Sequence, residues 1–238
     1  MLWYNSTADE INSSGIDTAI LPIGSTEQHG PHLPIITDTM QISAIAEKVA
    51  EKIGVFLLPT LPISTCIEHM GKKGSIWMNA ETFYRMMDDI VSCLKQQGFK
   101  RVIILQGHGG VFILGPFIRE YNAKSTDTKV IRYDIMNAFQ VDEINDLIDS
   151  GVAMHACEFE TSLMLYLAEE FVRKELIEDC VPDVPRDFLN YGSILKFSKN
   201  GVWGKPSYAT KEKGEKIFNL IVNDVIKYIE KVEMILDN

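Results

Sequence analysis

The 238-residue chain carries a formal net charge of -10, with 46 % hydrophobic and 24 % charged residues. This composition is typical of a soluble globular protein and too apolar for a disordered chain. The acidic balance and the lack of a basic stripe argue against a nucleic-acid partner and against binding to an anionic membrane. The N-terminus has no signal-peptide pattern, and no apolar run approaches the roughly eighteen residues of a membrane span, so we expect a cytoplasmic protein.

Short apolar runs alternate along the chain with longer segments of helical period. The runs predict buried strands at 17–23, 55–61, 101–106 and 129–134. The helical pattern covers 38–53, 80–97, 110–123, 158–171 and 210–235. This alternation indicates an α/β fold with a mainly parallel sheet covered by helices. Residues 179–207 are the least regular part of the chain, and long irregular connections are often functional.

The stretch GSTEQHGPHLPIITD, residues 24–38, follows the first predicted strand and contains two of the five histidines. Glu27 and His29 are two residues apart, so in extended backbone both side chains point to the same side and can face one ion. Asp38 stands at a predicted helix start, where it can be either a helix cap or a further ligand. Ligands in open α/β sheets bind at the carboxyl ends of the strands, which is where this stretch lies.

Two more motifs follow predicted strand ends. In QGHGG, residues 106–110, glycines on both sides of His108 permit close backbone approach, although a plain turn is the alternative reading. HACEFETS, residues 155–162, opens a helical segment with His155, Glu158 and Glu160. Glutamates two apart cannot share a helix face, so we expect Glu158 to face the site, one turn from His155, and Glu160 to cap the helix or meet its dipole. Carboxylates mixed with imidazoles suit zinc, manganese or iron.

Together these motifs resemble the creatininase (creatinine amidohydrolase) family. The resemblance rests on residues 24–38, on GHGG at 107–110, on residues 155–162 and on GVWGKPSYATKEKGEKI at 201–217. It implies a single creatininase-like domain over residues 1–238, folded as a three-layer α/β/α sandwich and assembled as a homo-oligomer, often a hexamer. It also implies a site with two divalent ions (zinc, manganese or iron) that hydrolyses a C–N bond.

The resemblance also implies roles for single residues. The metal ligands that it implies are Glu27, His29, Asp38 as the bridge, and His108. Creatininase itself has a glutamate ligand two residues after the histidine of its GH motif, whereas this chain has Gly110 there. We therefore expect Glu158 to supply the fifth ligand and to take part in catalysis. His155 is expected to act at the scissile bond, where an imidazole protonates the departing nitrogen.

Predicted substrate contacts are His32, Ser75, Trp77 and Gly109. His32 can equally orient a metal ligand or be structural, and the role of His69 stays open. The expected reaction is hydrolysis of a small cyclic amide or formamide by a hydroxide held between the ions. The alternatives are a hydrolase or isomerase of a sugar-derived keto compound and a non-catalytic metal-binding protein.

Overall fold

The computed structural model describes residues 2–151 and 153–236. Its strands are β1 (Thr18–Ile23), β2 (Phe56–Leu57), β3 (Arg101–Gln106), β4 (Lys129–Asp134), β5 (Ala153–His155) and β6 (Trp203–Gly204). Its α-helices are α1 (Ala8–Ser13), α2 (Thr37–Ile53), α3 (Ala80–Gln96), α4 (Leu114–Lys124), α5 (Asp142–Asn145), α6 (Glu158–Leu167) and α7 (Lys211–Leu236). Single turns of 3-10 helix fill several of the connections.

The main sheet has four parallel strands in the order β2-β1-β3-β4. Ile23, Gln106 and Asp134 are register partners and are also the last residues of their strands. The segments that leave β1, β3 and β4 therefore start from one edge of the sheet. β5 and β6 form a separate antiparallel pair.

Helices cover both faces of this sheet, because its strands bury side chains on both sides. Ile20 of β1 and Ile103 of β3 pack in one apolar cluster with residues of α2, α6 and α7. Leu21 and Ile104, the next residues along, pack in a second cluster with residues of α3 and α4. The predicted three-layer α/β/α sandwich is therefore confirmed.

Several predicted boundaries shift for local reasons. β2 has only two residues, and Pro59, which has no N–H to donate, interrupts the predicted run to 61. α4 begins at Leu114, after the glycine turn at 109–110, and α6 ends at Leu167 because Ala168 leaves the helical conformation. Asn79 is the residue before α3, but its side chain makes no capping hydrogen bond.

The longest helix, α7, has 26 residues and buries one face against the first cluster. Its buried positions include Ile217, Ile221, Val225 and Ile229. Within residues 2–151 and 153–236, no helix combines the length and apolar character needed to cross a bilayer.

Candidate metal centre

Six imidazole and carboxylate side chains meet at the carboxyl edge of the sheet. They are Glu27 and His29 after β1, Asp38 at the start of α2, His69 in the turn Ile67–His69, His108 after β3, and His155 at the end of β5, each at most 5 % exposed. The sequence motifs that lie far apart along the chain are thus brought into one buried cluster.

Asp38 lies between two of the histidines. Its Oδ1 is 3.1 Å from His29 Nε2, and its Oδ2 is 3.0 Å from His108 Nδ1. The hydroxyl of Ser25 donates a further hydrogen bond to Oδ2 at 2.9 Å. Burial opposes ionisation, but the two imidazoles outweigh it and hold the pKa of Asp38 well below its usual range. Asp38 is therefore an ionised carboxylate with one oxygen directed to each histidine.

The charge of Asp38 raises the pKa values of both His29 and His108. Burial alone would lower the pKa of His29, but the Asp38 carboxylate outweighs burial and raises that pKa well above the usual value. For His108, burial is likewise outweighed by the charges of Glu27 and Asp38, so its pKa is raised. Without a metal ion, both rings are therefore imidazolium ions, protonated on both nitrogens, at neutral pH.

Glu27 is fully buried, and neither of its carboxylate oxygens has a hydrogen-bond partner among the residues that the structure describes. Three imidazole nitrogens lie beside it, with His108 Nδ1 at 3.2 Å, His69 Nε2 at 3.3 Å and His155 Nδ1 at 3.8 Å. Burial raises the pKa of Glu27 to about 8. Such a carboxylate is costly unless a cation or a set of donors compensates it.

His155 and His69 face Glu27 from another side, and each also contacts Gln28. His155 Nε2 lies 2.8 Å from the main-chain oxygen of Gln28, to which it donates, and this leaves Nδ1 facing the cluster. The Gln28 amide nitrogen lies 3.1 Å from His69 Nδ1. Burial, followed by neighbouring imidazoles, lowers the pKa values of His155 and His69 well below the usual range. Both rings are neutral at pH 7.

Of the two glutamates of HACEFETS, Glu158 does not reach the cluster, whereas Glu160 caps α6 as expected and also lies beside the cluster. The Glu158 carboxylate accepts from the main-chain N–H groups of Asp149, at 3.2 Å, and Ser150, at 2.8 Å, and from the ammonium of Lys213. Glu160 Oε1 instead lies 3.7 Å from His29 Nε2. The structure therefore does not bring Glu158, the expected fifth ligand and catalytic residue, to the cluster, and Glu160 is the glutamate of this motif that lies beside His29.

The local backbone explains this correction. His155 ends β5 and α6 begins at Glu158, so the assumed helical spacing between His155 and Glu158 does not exist. Ala156, between them, has a φ of 48°, which turns the chain sharply before the helix starts. The carboxylate of Glu160 reaches back to the N–H of Cys157 at 3.3 Å, toward the site.

Three groups of the clustered residues could hold a metal ion. In each, one ligand atom per residue lies within 4.8 Å of the others: Glu27, His69 and His108; Glu27, His29 and His155; and His29, Asp38 and Glu160. Mixed nitrogen and oxygen donors suit zinc, manganese and iron. A cation would give the unpartnered oxygens of Glu27 a positive partner. It would also replace the imidazole protons that lie beside Asp38. The residues therefore fit divalent metal ions.

Of the predicted substrate contacts, only Gly109 borders the cavity beside the cluster. His32 is buried against α6, with Nε2 3.0 Å from Thr161 Oγ1. The hydroxyl of Ser75 accepts a hydrogen bond from the main-chain N–H of Gln28, so it supports the loop behind the site. Trp77 is half-buried and does not line this cavity or the groove outside it. None of these three residues is among the lining residues of the cavity or of the groove outside it.

Two neighbouring spaces, which share four lining residues, lie beside the cluster. The inner cavity has a volume of about 50 Å³, and Asp38, His108, His155 and Glu160 are among its lining residues. The outer groove has a volume of about 800 Å³ and is lined by apolar residues such as Phe112 and Ile113. Both spaces are bordered by Glu68, Gly110, Arg186 and Leu189.

Sequence reasoning missed Gln28 and Arg186. Arg186 belongs to the irregular region 179–207 and donates to the carbonyl of Gly109 at 3.1 Å, with its guanidinium over the ring of Phe112. The irregularity of that region was the only signal for it. Gln28 lies inside the first motif, but the sequence patterns predicted roles only for its neighbours Glu27 and His29.

Comparison with known proteins supports the fold described above. The family model for creatininase, described as creatinine amidohydrolase, matches residues 4–229. A solved creatininase structure superposes with a TM-score of 0.84 at 24 % identity, covering 97 % of this chain and 97 % of that one. Other creatininase structures with a TM-score of 0.84 include a zinc–zinc form and a manganese form, both at 23 % identity.

Two further relatives differ in their named substrates. The mycofactocin precursor peptide peptidase of Mycolicibacterium smegmatis is 27 % identical over 237 residues, covering 95 % of this chain and 89 % of that protein. The 3-dehydro-scyllo-inosose hydrolase of Thermotoga maritima is 30 % identical over 187 residues, covering 76 % of this chain and 58 % of that protein. Similarity alone therefore leaves several substrate classes open.

Proposed function

The chain belongs to the creatininase family of amidohydrolases, and we propose that it is a metal-dependent hydrolase of the C–N bond of a small cyclic amide or formamide. The observation that carries this proposal is the buried carboxylate of Glu27. Its two oxygens have no hydrogen-bond partner within the described chain and are surrounded by imidazole nitrogens. A site of this kind is built to bind cations.

In this proposal two divalent ions are held by residues that share Asp38. His29, Asp38 and Glu160 would hold one ion, and Glu27 and Asp38, which both face His108 Nδ1, would hold the other with His108. Zinc, manganese and iron all suit these donors, and zinc and manganese forms exist among the solved creatininase structures. Bound ions of this type polarise a carbonyl oxygen and lower the pKa of a water molecule toward neutrality.

His155 is the proposed proton carrier. It lines the inner cavity, and its Nδ1 has no proton to donate because Nε2 donates to the carbonyl of Gln28. Burial and the charge of His29 lower the pKa of His155, so the ring begins the reaction as a base. It accepts a proton as water adds to the substrate carbonyl and passes that proton to the departing nitrogen. Amine departure without a proton would be slow.

Replacing His155 separates this role from metal binding. His155→Ala should abolish turnover while the purified protein keeps its metal, as measured by elemental analysis of the same preparation. Simultaneous loss of metal would instead make His155 a ligand, in keeping with its place in the group with Glu27 and His29.

The size of the two spaces limits the substrate. An inner cavity of about 50 Å³ accommodates the scissile group but not a whole molecule of drug-like size. The remainder of the substrate must lie toward the outer groove, past Glu68 and Arg186. The outer groove of about 800 Å³ also favours a second candidate, an amide bond in a short peptide. The similarity to peptide peptidases over 95 % of the chain supports this candidate.

A substrate panel tests the proposal. Purified protein loaded with zinc or manganese is incubated with a cyclic amide, a formamide, a short peptide and a cyclic keto-sugar, and products are identified by mass spectrometry. We expect hydrolysis of a C–N bond in one of the first three. Turnover of the keto-sugar alone would favour the sugar-derived alternative. Metal binding without turnover of any compound would favour a non-catalytic protein.

We also propose that the chain forms a homo-oligomer. Large apolar side chains are exposed near the outer groove, including Ile67 at 55 %, Phe112 at 64 % and Tyr191 at 74 %. Such side chains at one surface often mark an interface between subunits. Light scattering coupled to size-exclusion chromatography measures the mass directly, and a mass of one chain at micromolar concentration would contradict this proposal.

A further inference from the structure

His108 has polar partners on both ring nitrogens. Its Nδ1 lies 3.0 Å from Asp38 Oδ2 and 3.2 Å from Glu27 Oε2, toward the proposed metal position. Its Nε2 points away from them and lies 3.3 Å from Oε1 of Glu68. If Nδ1 binds a metal ion, that nitrogen must be deprotonated, and the ring proton then resides on Nε2. Glu68 is the acceptor that faces this proton.

Gly110 leaves the space through which the Glu68 carboxylate approaches His108. A Cβ atom on residue 110 would lie 1.8 Å from Glu68 Oε1 and 2.3 Å from His108 Nε2. Gly110 is not among the glycines with positive φ, so its backbone conformation does not itself require glycine. The absence of a side chain is needed for space alone, and that space is filled by the carboxylate of Glu68.

The segment that carries Glu68 is tied to the same loop. Thr65 donates its hydroxyl proton to the carbonyl of Gly110 at 3.2 Å, which joins the chain before Glu68 to the turn that carries His108. His69, the next residue, places Nε2 3.3 Å from Glu27 Oε1. The side chain of Glu68 is 14 % exposed and borders both the inner cavity and the outer groove. One short turn thus delivers two neighbouring side chains to the cluster.

We propose that Glu68 is a positioning residue of the metal centre, which accepts the Nε2 proton of His108 and holds Nδ1 toward Glu27 and Asp38. Gly110 serves this contact by leaving the volume open. The inference rests on the proposed function, because it assumes that His108 binds an ion. A histidine ligand whose second nitrogen donates to a carboxylate is fixed in tautomer and orientation, and loss of that carboxylate weakens metal binding.

The experiment compares Glu68→Ala and Glu68→Gln with the wild-type chain. Metal content is measured by elemental analysis after loading with zinc, affinity by competition with a chelator, and ligand geometry by the absorption spectrum of the cobalt-loaded protein. Glu68→Ala should lower the affinity of the protein for one of the two ions by about 10- to 100-fold and change the absorption spectrum of the cobalt-loaded protein. Glu68→Gln retains an acceptor oxygen, so its affinity should stay within about tenfold of wild type.

Controls separate this contact from general damage. Glu81→Ala removes an exposed glutamate that pairs with Arg85 on α3 and should leave metal affinity unchanged. Gly110→Ala should weaken metal binding at least as much as Glu68→Ala does, because the new methyl group would meet both the Glu68 carboxylate and His108 Nε2. Gly115→Ala is its matched control, since a Cβ at Gly115 meets no atom within 4 Å.

Each outcome bears on one claim. Unchanged metal affinity and an unchanged cobalt spectrum in Glu68→Ala would overturn the inference, while the proposed function would stand. A loss in Glu68→Gln as large as in Glu68→Ala would also overturn it, because charge rather than hydrogen-bond acceptance would then be responsible. A wild-type protein that binds no metal at all would instead refute the proposed function.

Discussion

Two buried glutamates, Glu27 and Glu158, have opposite surroundings. Both are 0 % exposed. Glu158 accepts from two main-chain N–H groups and from Lys213, so donors and a counter-charge satisfy its carboxylate. Glu27 has no hydrogen-bond partner within the described residues and faces three imidazole nitrogens instead.

The partners of a buried carboxylate distinguish a structural role from that of a candidate metal ligand. Burying a carboxylate is unfavourable unless charge and hydrogen bonds compensate it, and for Glu158 the protein itself supplies both. For Glu27 the chain supplies neither in full, so a component from outside the chain must complete the site. Burial and residue type are the same in both cases, and only the partners differ.

The largest expected effect is the loss of metal from Glu27→Gln. An amide is a far weaker ligand than a carboxylate, so bound metal should fall by at least one ion per chain. Turnover should fall by about 1,000-fold or more, since the loss removes most of the metal-dependent stabilisation. Elemental analysis and a product assay on one preparation measure both quantities.

Glu27→Gln also tests the contrast between Glu27 and Glu158 in the metal-free protein. Glu27→Gln removes a buried carboxylate without partners, so the metal-free variant should be at least as stable as the metal-free wild type in urea unfolding. Marked destabilisation would mean that Glu27 already has adequate partners within the protein, and the contrast with Glu158 would fail.

The second effect is a loss of stability in Glu158→Ala. This change removes the acceptor shared by two main-chain N–H groups and Lys213, although Lys213 keeps Asp149 and the carbonyl of Tyr208, so we expect a cost of about 3 kcal/mol. Urea unfolding followed by circular dichroism measures the free energy of unfolding. Metal content per folded chain should not change, and a loss of metal would restore Glu158 as a candidate ligand.

A smaller effect concerns His32, which is buried and has no partner for Nδ1 among the described residues. Burial, with the nearby charge of His29, lowers the pKa of His32 to about 4. The unfolded value is about 6.5, so between these values the unfolded chain binds more protons and stability falls as the pH falls. We expect His32 to reduce the free energy of unfolding by about 2 kcal/mol between pH 7 and pH 5.

His32→Gln isolates this contribution. Both proteins are unfolded in urea without metal at pH 7 and pH 5, so the acid sensitivity of the remaining histidines is common to the pair. The variant should lose about 2 kcal/mol less than the wild type over this interval. Equal losses would show that His32 keeps an ordinary pKa in the folded chain.

Most of the fold could be predicted from the sequence, because its main elements follow strong periodic patterns. β3 and β4 match their predicted bounds, and the five predicted helices correspond to α2, α3, α4, α6 and α7. The short helices α1 and α5 and the β5–β6 pair were missed, since two- to six-residue elements depend on tertiary contacts more than on periodicity. The glycine turn after β3 delayed α4 by four residues relative to the predicted start at 110.

The site was partly readable. The residues after β1 and β3 converge as predicted, because parallel strands end at one edge of the sheet. The choice between Glu158 and Glu160 depended on where β5 stops and α6 begins, which the positive φ of Ala156 decides. That conformation carries no sequence signal, since alanine rarely adopts it. Arg186 lies too far along an irregular segment for any spacing rule to connect it with His108.

The central claim is that this cluster binds two cations through a shared Asp38. The most direct test is a crystal of the zinc-loaded protein, with anomalous scattering measured on both sides of the zinc absorption edge. The account predicts two anomalous peaks, one among His29, Asp38 and Glu160 and one among Glu27, Asp38 and His108. The absence of any peak beside the Glu27 carboxylate would contradict it.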